Sequence, residues 1–223
     1  MEITRIYHSG FLVETGRFYY IFDYEKGSLP ELKPEKPVFV LCSHSHADHY
    51  NPEIFGLLAE MGMKRVRAVL SDDIEQAPNG DTLFVAPGME YALEGDVKLT
   101  TFRSTDLGVA FLIQDQQALI YHAGDLNDWV WDDESDAYNE EMTQNYREQM
   151  DLLAEKLGQR EIDAAFVVLD PRQETDYDRG LCGFLERISA KAVYPMHFGD
   201  DPSVIERFLQ DHPEHKAIIR KTK

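Results

Sequence analysis

The sequence contains few cysteines and few basic residues, and these shortages exclude several classes of protein. Among its 223 residues there are only two cysteines, Cys42 and Cys182, too few for a disulfide framework or a cysteine-rich zinc module. Lysine and arginine number 22 against 41 aspartate and glutamate residues, which gives a formal net charge of −19. Because such a surface repels polyanions and no basic stripe interrupts it, we expect no nucleic-acid partner.

Long hydrophobic runs are also absent, so we expect no membrane span and no membrane partner. The first residues lack the basic and apolar regions of a secretory signal, and a cytoplasmic location is expected. The hydrophobic fraction of 43% is typical of a packed globular protein. We therefore predict a single domain over residues 1–223. We expect it to act on a small-molecule substrate. The sequence leaves open whether it forms a homo-oligomer.

A cluster of histidines follows a short apolar run. The run Val38–Cys42 predicts a buried strand, and the segment 44–49 after it reads His-Ser-His-Ala-Asp-His. If the strand continues through residue 46, His44 and His46 lie on the same face and can bind one ion. Asn51 and Pro52 then predict the start of a helix. Imidazole and carboxylate groups at a strand-to-helix junction indicate a metal site, since they suit zinc, iron or manganese.

Two later predicted strands end in further metal-ligand residues. The strand 118–121 leads to Asp125, and the strand 192–196 leads to His197. Because α/β sheets bind ligands at the carboxyl ends of their strands, we expect Asp125, His197 and the histidine cluster to converge.

Other patterns predict the rest of the fold. A hairpin is expected at 11–22, and short strands at 66–70, 82–86, 91–93, 97–102, 109–113 and 164–169. Helices are predicted at 52–61, around 142–157, at 181–188 and after a capping box formed by Ser203 and Glu206, with a closing strand at 216–219. The overall class is α/β.

These motifs together resemble the metallo-β-lactamase-fold hydrolases. The segment 44–49 matches their His-x-His-x-Asp-His motif without a mismatch, 121–125 is similar to their Gly-Asp motif, and 195–198 is similar to the segment around their last histidine. Residues 7–14 and 22–23 resemble the L-ascorbate-6-phosphate lactonase-like branch. The resemblance implies a four-layer αβ/βα sandwich that holds one or two divalent metal ions, with zinc favoured and manganese or iron as alternatives.

Carried over to this sequence, the resemblance also implies a ligand set. His44 and His46 would bind the first metal, Asp48, His49 and His197 would bind the second, and Asp125 would bridge them.

One family ligand is missing from this set. Where the family usually has another histidine, this sequence has Ser104, a poor zinc ligand. Asp106 could replace the missing ligand through an oxygen, or it could be an ordinary turn residue. Either the first site is therefore loose and oxygen-rich, or only the second site is filled.

Three residues are expected to support catalysis. Asp48 is our candidate for orienting or deprotonating a metal-bound water. Asp23 could accept a hydrogen bond from a ligand imidazole, or it could merely end a strand. His8 could line the pocket and donate to the substrate, or it could be satisfied locally.

The function expected from these residues is hydrolysis of a small ester, either a lactone or a phosphoester, by a metal-bound hydroxide. The alternative is a vestigial metal-binding protein without activity, which the histidine missing at Ser104 suggests. A di-iron oxidoreductase fits less well, because such relatives carry Glu where this sequence has Asp48.

Overall fold

Two six-stranded sheets form the centre of the computed structural model, which describes residues 1–78 and 80–221. The predicted range 1–223 thus includes three residues outside the described part. The first sheet contains, in spatial order, β1 (Glu2–Tyr7), β2 (Gly10–Glu14), β3 (Tyr19–Phe22), β4 (Val38–Cys42), β5 (Val66–Ser71) and β6 (Asp81–Val85). Strands β1 to β3 are antiparallel, and β3 to β6 are parallel.

The second sheet has a related arrangement. Its order is β12 (Val193–Met196), β11 (Ala164–Val168), β10 (Leu119–His122), β9 (Val109–Gln114), β8 (Lys98–Arg103) and β7 (Glu90–Ala92). Strands β10 to β12 are parallel, whereas β7 to β10 are antiparallel. Both sheets therefore have parallel strands whose carboxyl ends can present side chains along one edge.

Alternation along the strands of the first sheet creates two apolar layers. Phe39 and Leu41 of β4 belong to the main core between the sheets, whereas Val38, Val40 and Cys42 belong to a separate outer cluster. The two sets point in opposite directions because side chains alternate along a strand. Cys42 is buried and unpaired with another cysteine, in agreement with its prediction as a small buried residue.

Within the described residues, four α-helices cover the outer faces of the sheets: α1 (Glu53–Glu60), α2 (Asp136–Leu157), α3 (Arg179–Arg187) and α4 (Ser203–Asp211). Ile54 and Leu58 of α1 pack into the outer cluster of the first sheet. Apolar residues of the other three helices, such as Leu153, Phe184 and Phe208, join the core on the side of the second sheet. This gives the predicted four-layer αβ/βα sandwich and confirms the fold class.

Two predictions about local structure need correction. The capping box at Ser203 is not formed; instead the backbone N–H of Ser203 donates to the side chain of Asp201, which precedes Pro202. The closing strand at 216–219 is wrong, because Pro213–Ala217 forms a 3-10 helix and only Ile219 bridges to Val193. The short segment lacks the alternating pattern of a strand, and Pro213 favours the start of a helical turn.

The first strand, β1, was not predicted. It pairs with β2 although its side chains are only partly buried, so its apolar alternation is weak in sequence. In the described part of the chain, no helix combines the length and the apolar character needed to span a membrane.

Candidate metal centre

The ends of several strands meet at one edge of the two sheets. Asp23 follows β3, His44 follows β4, Asp125 follows β10, Asp170 follows β11 and His197 follows β12. Asp23, His44, Asp125, Asp170 and His197 are all almost completely buried. The convergence expected from the sequence is therefore present, and it brings both sheets to one site.

The assumption that β4 runs through residue 46 is wrong. The strand ends at Cys42, and residues 43–49 form a tight loop in which His46 O accepts hydrogen bonds from the N–H groups of His49 and Tyr50. The loop nevertheless places His44 Nε2 3.1 Å from His46 Nδ1. The loop, rather than strand alternation, brings the two imidazoles together.

Asp125 lies between two groups of potential ligands. Its Oδ1 is 3.1 Å from His49 Nε2 and 3.2 Å from His197 Nε2. Its Oδ2 faces the other way, 3.6 Å from His44 Nε2. One carboxylate thus presents a different oxygen to each group, as a bridging ligand between two cations does.

The first group consists of His44, His46, Asp106 and Asp125. Asp106 Oδ2 lies 3.5 Å from His46 Nδ1, so Asp106 adds a carboxylate oxygen to this group. Ser104 Oγ accepts the backbone N–H of Asp106, so this hydroxyl already has a partner within its own turn. His46 and Asp106 are both exposed by more than two fifths of their side-chain surface, so this half of the site is open to solvent.

The second group consists of His8, Asp48, His49 and His197. Asp48 lies at the mouth of the site, with Oδ2 3.9 Å from His49 Nε2 and 3.6 Å from His8 Nε2. His49 and His197 are deeply buried, whereas Asp48 is about half exposed. The two groups together contain all the residues proposed as ligands from the sequence.

Buried aspartates hold the imidazoles of His49 and His197 on the side away from Asp125. Asp23 Oδ2 lies 2.8 Å from His49 Nδ1, and Asp170 Oδ2 lies 3.0 Å from His197 Nδ1. Because an ionised carboxylate only accepts, each Nδ1 carries the proton and each Nε2 is directed at Asp125. Carboxylates hold metal-binding histidines in this way.

Asp170 was missed as a site residue in the sequence. It ends a continuous apolar strand in the same manner as Asp23, and that signal could have identified it. Asp73 was missed as well; its side chain accepts the N–H of Ser45 and so supports the histidine loop.

The electrostatics of the site reflect this arrangement. Burial alone would lower the pKa of His197, but the charges of Asp125 and Asp170 outweigh it and raise the pKa to about 9. Burial would likewise lower the pKa of His49, yet Asp125 and Asp23 hold it well above its ordinary value. Burial would raise the pKa of Asp125, but the two imidazoles keep it well below its usual range. The buried centre therefore carries an ionised carboxylate between two protonated imidazoles when no metal is bound.

The donor atoms fit a divalent cation. Asp125 Oδ1, His49 Nε2 and His197 Nε2 are buried and lie close together as charged groups, but none of the three atoms makes a hydrogen bond of good geometry. Unpaired buried polar atoms are costly, and a cation between them would satisfy all three at once. The nitrogen and oxygen donors are those that zinc, manganese and iron accept.

His122 plays a different part. It is fully buried. Its Nδ1 accepts the N–H of Gly124, so Nε2 carries the proton and donates to the carbonyl oxygen of Ser9. Both ring nitrogens are therefore occupied, and His122 contributes to the support of the site.

Backbone strain is concentrated at this centre. Of the described residues other than glycine, four have positive φ, and three of them are His8, Asp23 and His197. Such conformations cost free energy and persist where surrounding contacts enforce them. Their position directly after β1, β3 and β12 turns each side chain toward the centre.

A small cavity of about 240 Å³ opens beside the first group. Trp129 and Trp131 stack with nearly parallel rings, 5.7 Å between centroids, and Tyr138 and Met142 add to this wall. Trp129 is also anchored, because its Nε1–H donates to the carbonyl oxygen of Asp125. Trp129 therefore both anchors this segment and forms part of the cavity wall.

Arg172 lies at the rim of the same cavity. Its guanidinium makes a bidentate ion pair with Asp170. The side chain is still 64% exposed, so part of the guanidinium faces the opening.

A third group of potential ligands lies elsewhere. Asp178, Cys182 and His212 approach one another near the start of α3. His212 Nε2 is already paired there with Asp178 Oδ2 at 2.6 Å. This group does not contact the centre between the sheets.

No family model and no curated protein sequence matches this chain. Solved structures do match it. A novel metallo hydrolase from the archaeon Ignicoccus hospitalis has a TM-score of 0.68 and 16% identity, with 99% of this chain and 94% of that chain covered. A protein from Parabacteroides distasonis that was proposed to be a metal-dependent hydrolase has a TM-score of 0.67 and 17% identity, with coverages of 99% and 93%.

A third match is a diiron β-hydroxylase from Streptomyces venezuelae, with a TM-score of 0.61 and 12% identity. The matched region covers 97% of this chain but only 52% of the hydroxylase. At these identities the similarity concerns the fold. The chain has the metallo-β-lactamase fold, with its candidate metal ligands at the shared edge of the two sheets.

Proposed function

We propose that this protein is a metal-dependent hydrolase of a small ester. The observation that carries the proposal is the position of Asp125, whose two oxygens face two separate groups of imidazole and carboxylate ligands. We assign His44, His46 and Asp106 to a first cation, and Asp48, His49 and His197 to a second. Zinc suits this donor set best, and manganese or iron are the alternatives.

Divalent ions bound at this centre would lower the pKa of a coordinated water to about 7 and would polarise the oxygen of the scissile group. The protein's own residues would supply orientation and proton handling. Asp23 and Asp170 fix the imidazoles of His49 and His197 through their Nδ1–H groups. Asp48, half exposed at the mouth, is placed to orient the attacking water and to accept its proton.

The surroundings of the centre favour a small substrate. The cavity beside Trp129 and Trp131 has a volume of about 240 Å³, which suits a small ligand. Its stacked aromatic wall suits an apolar acyl group or ring, and the net charge of −19 disfavours polyanions. The guanidinium of Arg172 at the rim could bind one carboxylate or phosphate group. These features support a lactone or a singly charged phosphoester, and the likeness to the lactonase-like branch favours the lactone.

One observation supports a non-catalytic alternative. The first group lacks a third imidazole, and its members His46 and Asp106 are more exposed than the ligands of the second group. If this half binds its cation weakly, one ion at the second group could remain without supporting turnover.

Metal analysis combined with an activity panel tests the proposal. Protein purified without added metal and then loaded with zinc should contain two ions per chain and should hydrolyse lactones or phosphoesters. Asp48→Asn should abolish turnover while the metal remains, whereas the exposed control Asp133→Asn should leave turnover unchanged. One tightly bound ion with no activity on any ester would favour the alternative, and activity that persists after exhaustive chelation would overturn both metal-based readings.

A further inference from the structure

A second cavity, of about 350 Å³, opens on the other side of the candidate metal centre. Tyr7, His8, Phe198 and Gly199 line it, and none of these residues lines the cavity beside the tryptophans. The two cavities share three lining residues, namely Asp48, Arg172 and His197. The centre therefore lies at the junction of two cavities, and a substrate bound there can extend in both directions.

His8 lines the second cavity but not the first, and its ring points at the centre. Its Nε2 is buried, has no hydrogen-bond partner and lies 3.6 Å from Asp48 Oδ2. Its ring packs against that of His197, with 4.2 Å between the centroids. A buried donor or acceptor without a partner is costly, so the protein retains here a group that a ligand can satisfy.

The hydrogen bonding of the His8 ring fixes its tautomer. The backbone N–H of Gly199 donates to His8 Nδ1 at 3.1 Å. A nitrogen that accepts an N–H must hold a lone pair, so the proton of the neutral ring is on Nε2. His8 Nε2 is therefore a donor, and it could bind a metal only if Gly199 N–H lost its acceptor.

The backbone holds this donor in position. His8 has a φ of 47°, a conformation that is strained for histidine, and its carbonyl oxygen accepts the N–H of His197. Together with the bond from Gly199, this ties His8 on both sides to the segment 197–199. The direction of Nε2 is thus set before any substrate binds.

We propose that the second cavity is a subsite for the leaving alcohol of an ester, and that His8 Nε2–H donates a hydrogen bond to the leaving oxygen. The inference rests on the proposed function and adds to it a substrate with groups on both sides of the scissile bond. The apolar acyl group lies against the tryptophan wall, and the alcohol lies against Tyr7 and Phe198.

The step balances as an ordinary hydrolysis. The water oxygen forms a bond to the acyl carbon, and the bond from that carbon to the alcohol oxygen breaks. The electron pair of the broken bond goes to the alcohol oxygen, which takes up one proton from the water; the acid formed releases the other to solvent. His8 stabilises the charge that develops on the alcohol oxygen and is not itself consumed.

A series of esters with the same acyl group and different alcohols tests this role. If His8 stabilises the leaving oxygen, His8→Phe should lower kcat/KM for alkyl esters by about 10²–10³-fold and for a nitrophenyl ester by about tenfold or less. A good leaving group needs little help, whereas a poor one depends on the donor. His8→Gln, whose amide N–H can donate, should recover part of the loss, and the remote control His215→Phe should behave as the wild type.

Two further measurements do not depend on turnover. Nitrogen-15 NMR of the zinc-loaded protein, with His8 assigned by its loss in His8→Gln, should show the proton on Nε2. The metal content of His8→Phe should equal that of the wild type. A proton on Nδ1, or a loss of metal in His8→Phe, would show that His8 is a ligand and would overturn the inference.

The kinetic outcomes separate this inference from the proposed function. An equal loss for all alcohols with the metal retained would place His8 on the acyl side and overturn the leaving-group assignment, while the hydrolase would stand. A wild-type protein that carries its metal and cleaves no ester would overturn the proposed function, and the alcohol subsite with it.

Discussion

Asp170 Oδ2 lies 3.0 Å from Nδ1 of His197, while the other nitrogen of the same ring lies 3.2 Å from Asp125 Oδ1. The ring is held between two carboxylates that follow different strands of the second sheet. The guanidinium of Arg172 and its backbone N–H both donate to Asp170, so this carboxylate cannot rotate freely. The contacts of His197 and Arg172 outweigh burial and lower the pKa of Asp170 to about 2, which keeps it ionised at neutral pH.

Removal of this charge should weaken metal binding at the second group. We expect Asp170→Asn to lower zinc affinity by about 10–100-fold, because an amide holds the Nδ1–H of His197 less strongly. Asp23→Asn should have a similar effect through His49. Competition with a chromophoric chelator measures the affinity, and the exposed Asp133→Asn serves as the control. Unchanged affinity in both buried variants would mean that the two carboxylates do not act through the imidazoles.

Zinc binding should release protons, and its affinity should increase with pH. The pKa of His197 is about 9 in the metal-free protein, and that of His49 is also raised, so both rings are protonated at pH 7. A metal ligand must be unprotonated, and binding therefore becomes weaker as the pH falls below about 9, by about tenfold per pH unit for each proton released. Calorimetry at pH 7 in buffers with different ionisation enthalpies should show release of about two protons. An affinity independent of pH between about 6 and 8, which is roughly one to three units below that pKa, would contradict the proposed charge state.

Asp106 should determine whether the first cation is retained. It is the carboxylate that joins His44 and His46, whereas Ser104 serves as an acceptor for the loop backbone. We expect Asp106→Ala to reduce the zinc content from two ions per chain toward one, measured by elemental analysis after dialysis. Cys182→Ser controls for the third ligand group, and its zinc content should remain that of the wild type. If Cys182→Ser loses an ion and Asp106→Ala does not, the second zinc ion is bound outside the centre.

Gly108 should be required for the shape of the histidine loop. Its φ is +67°, and an added Cβ would lie 2.0 Å from the carbonyl oxygen of Ser43 and 2.8 Å from Cβ of His44. Gly88 is a matched control, because its φ of +73° is similar but open space surrounds it. Gly88→Ala should cost only the backbone strain, about 1 kcal/mol of unfolding free energy. Gly108→Ala should cost at least about 3 kcal/mol and should also lose zinc, because the clash is with backbone. Urea unfolding measures both variants, and equal costs would contradict a packing role for Gly108.

Much of the fold was predictable because the strands carry strong local patterns. The continuous apolar runs at Val38–Cys42 and Ala164–Val168 identify buried strands, and the spacing of Tyr146, Met150, Leu153 and Leu157 identifies α2. The errors fall where the local signal is weak or has two meanings. At the start of α4 the side chain that accepts a backbone N–H is that of Asp201 rather than that of Ser203. The residues near Ile219 form only one bridge to the sheet.

The candidate ligands were also predictable, but the contacts that orient them were not. His44, His46, Asp48 and His49 are adjacent in sequence, and their residue types alone indicate a metal site. Asp170 is different, because an aspartate at the end of a strand has no local feature that distinguishes a partner of histidine from a turn residue. Asp170 and His197 are 27 positions apart in the sequence, and the pairing of β11 with β12 brings them together.

The sequence by itself determined the layers of the fold and the chemical types at its edge, because apolar periodicity and ligand-forming side chains are local properties of the chain. Only the tertiary structure decided which oxygen of Asp125 faces which imidazoles, that Asp106 rather than Ser104 joins the first group, and that His8 presents a donor. These relationships depend on distances and directions between residues far apart in the chain, and they are fixed only when the two sheets pack and their strand ends meet.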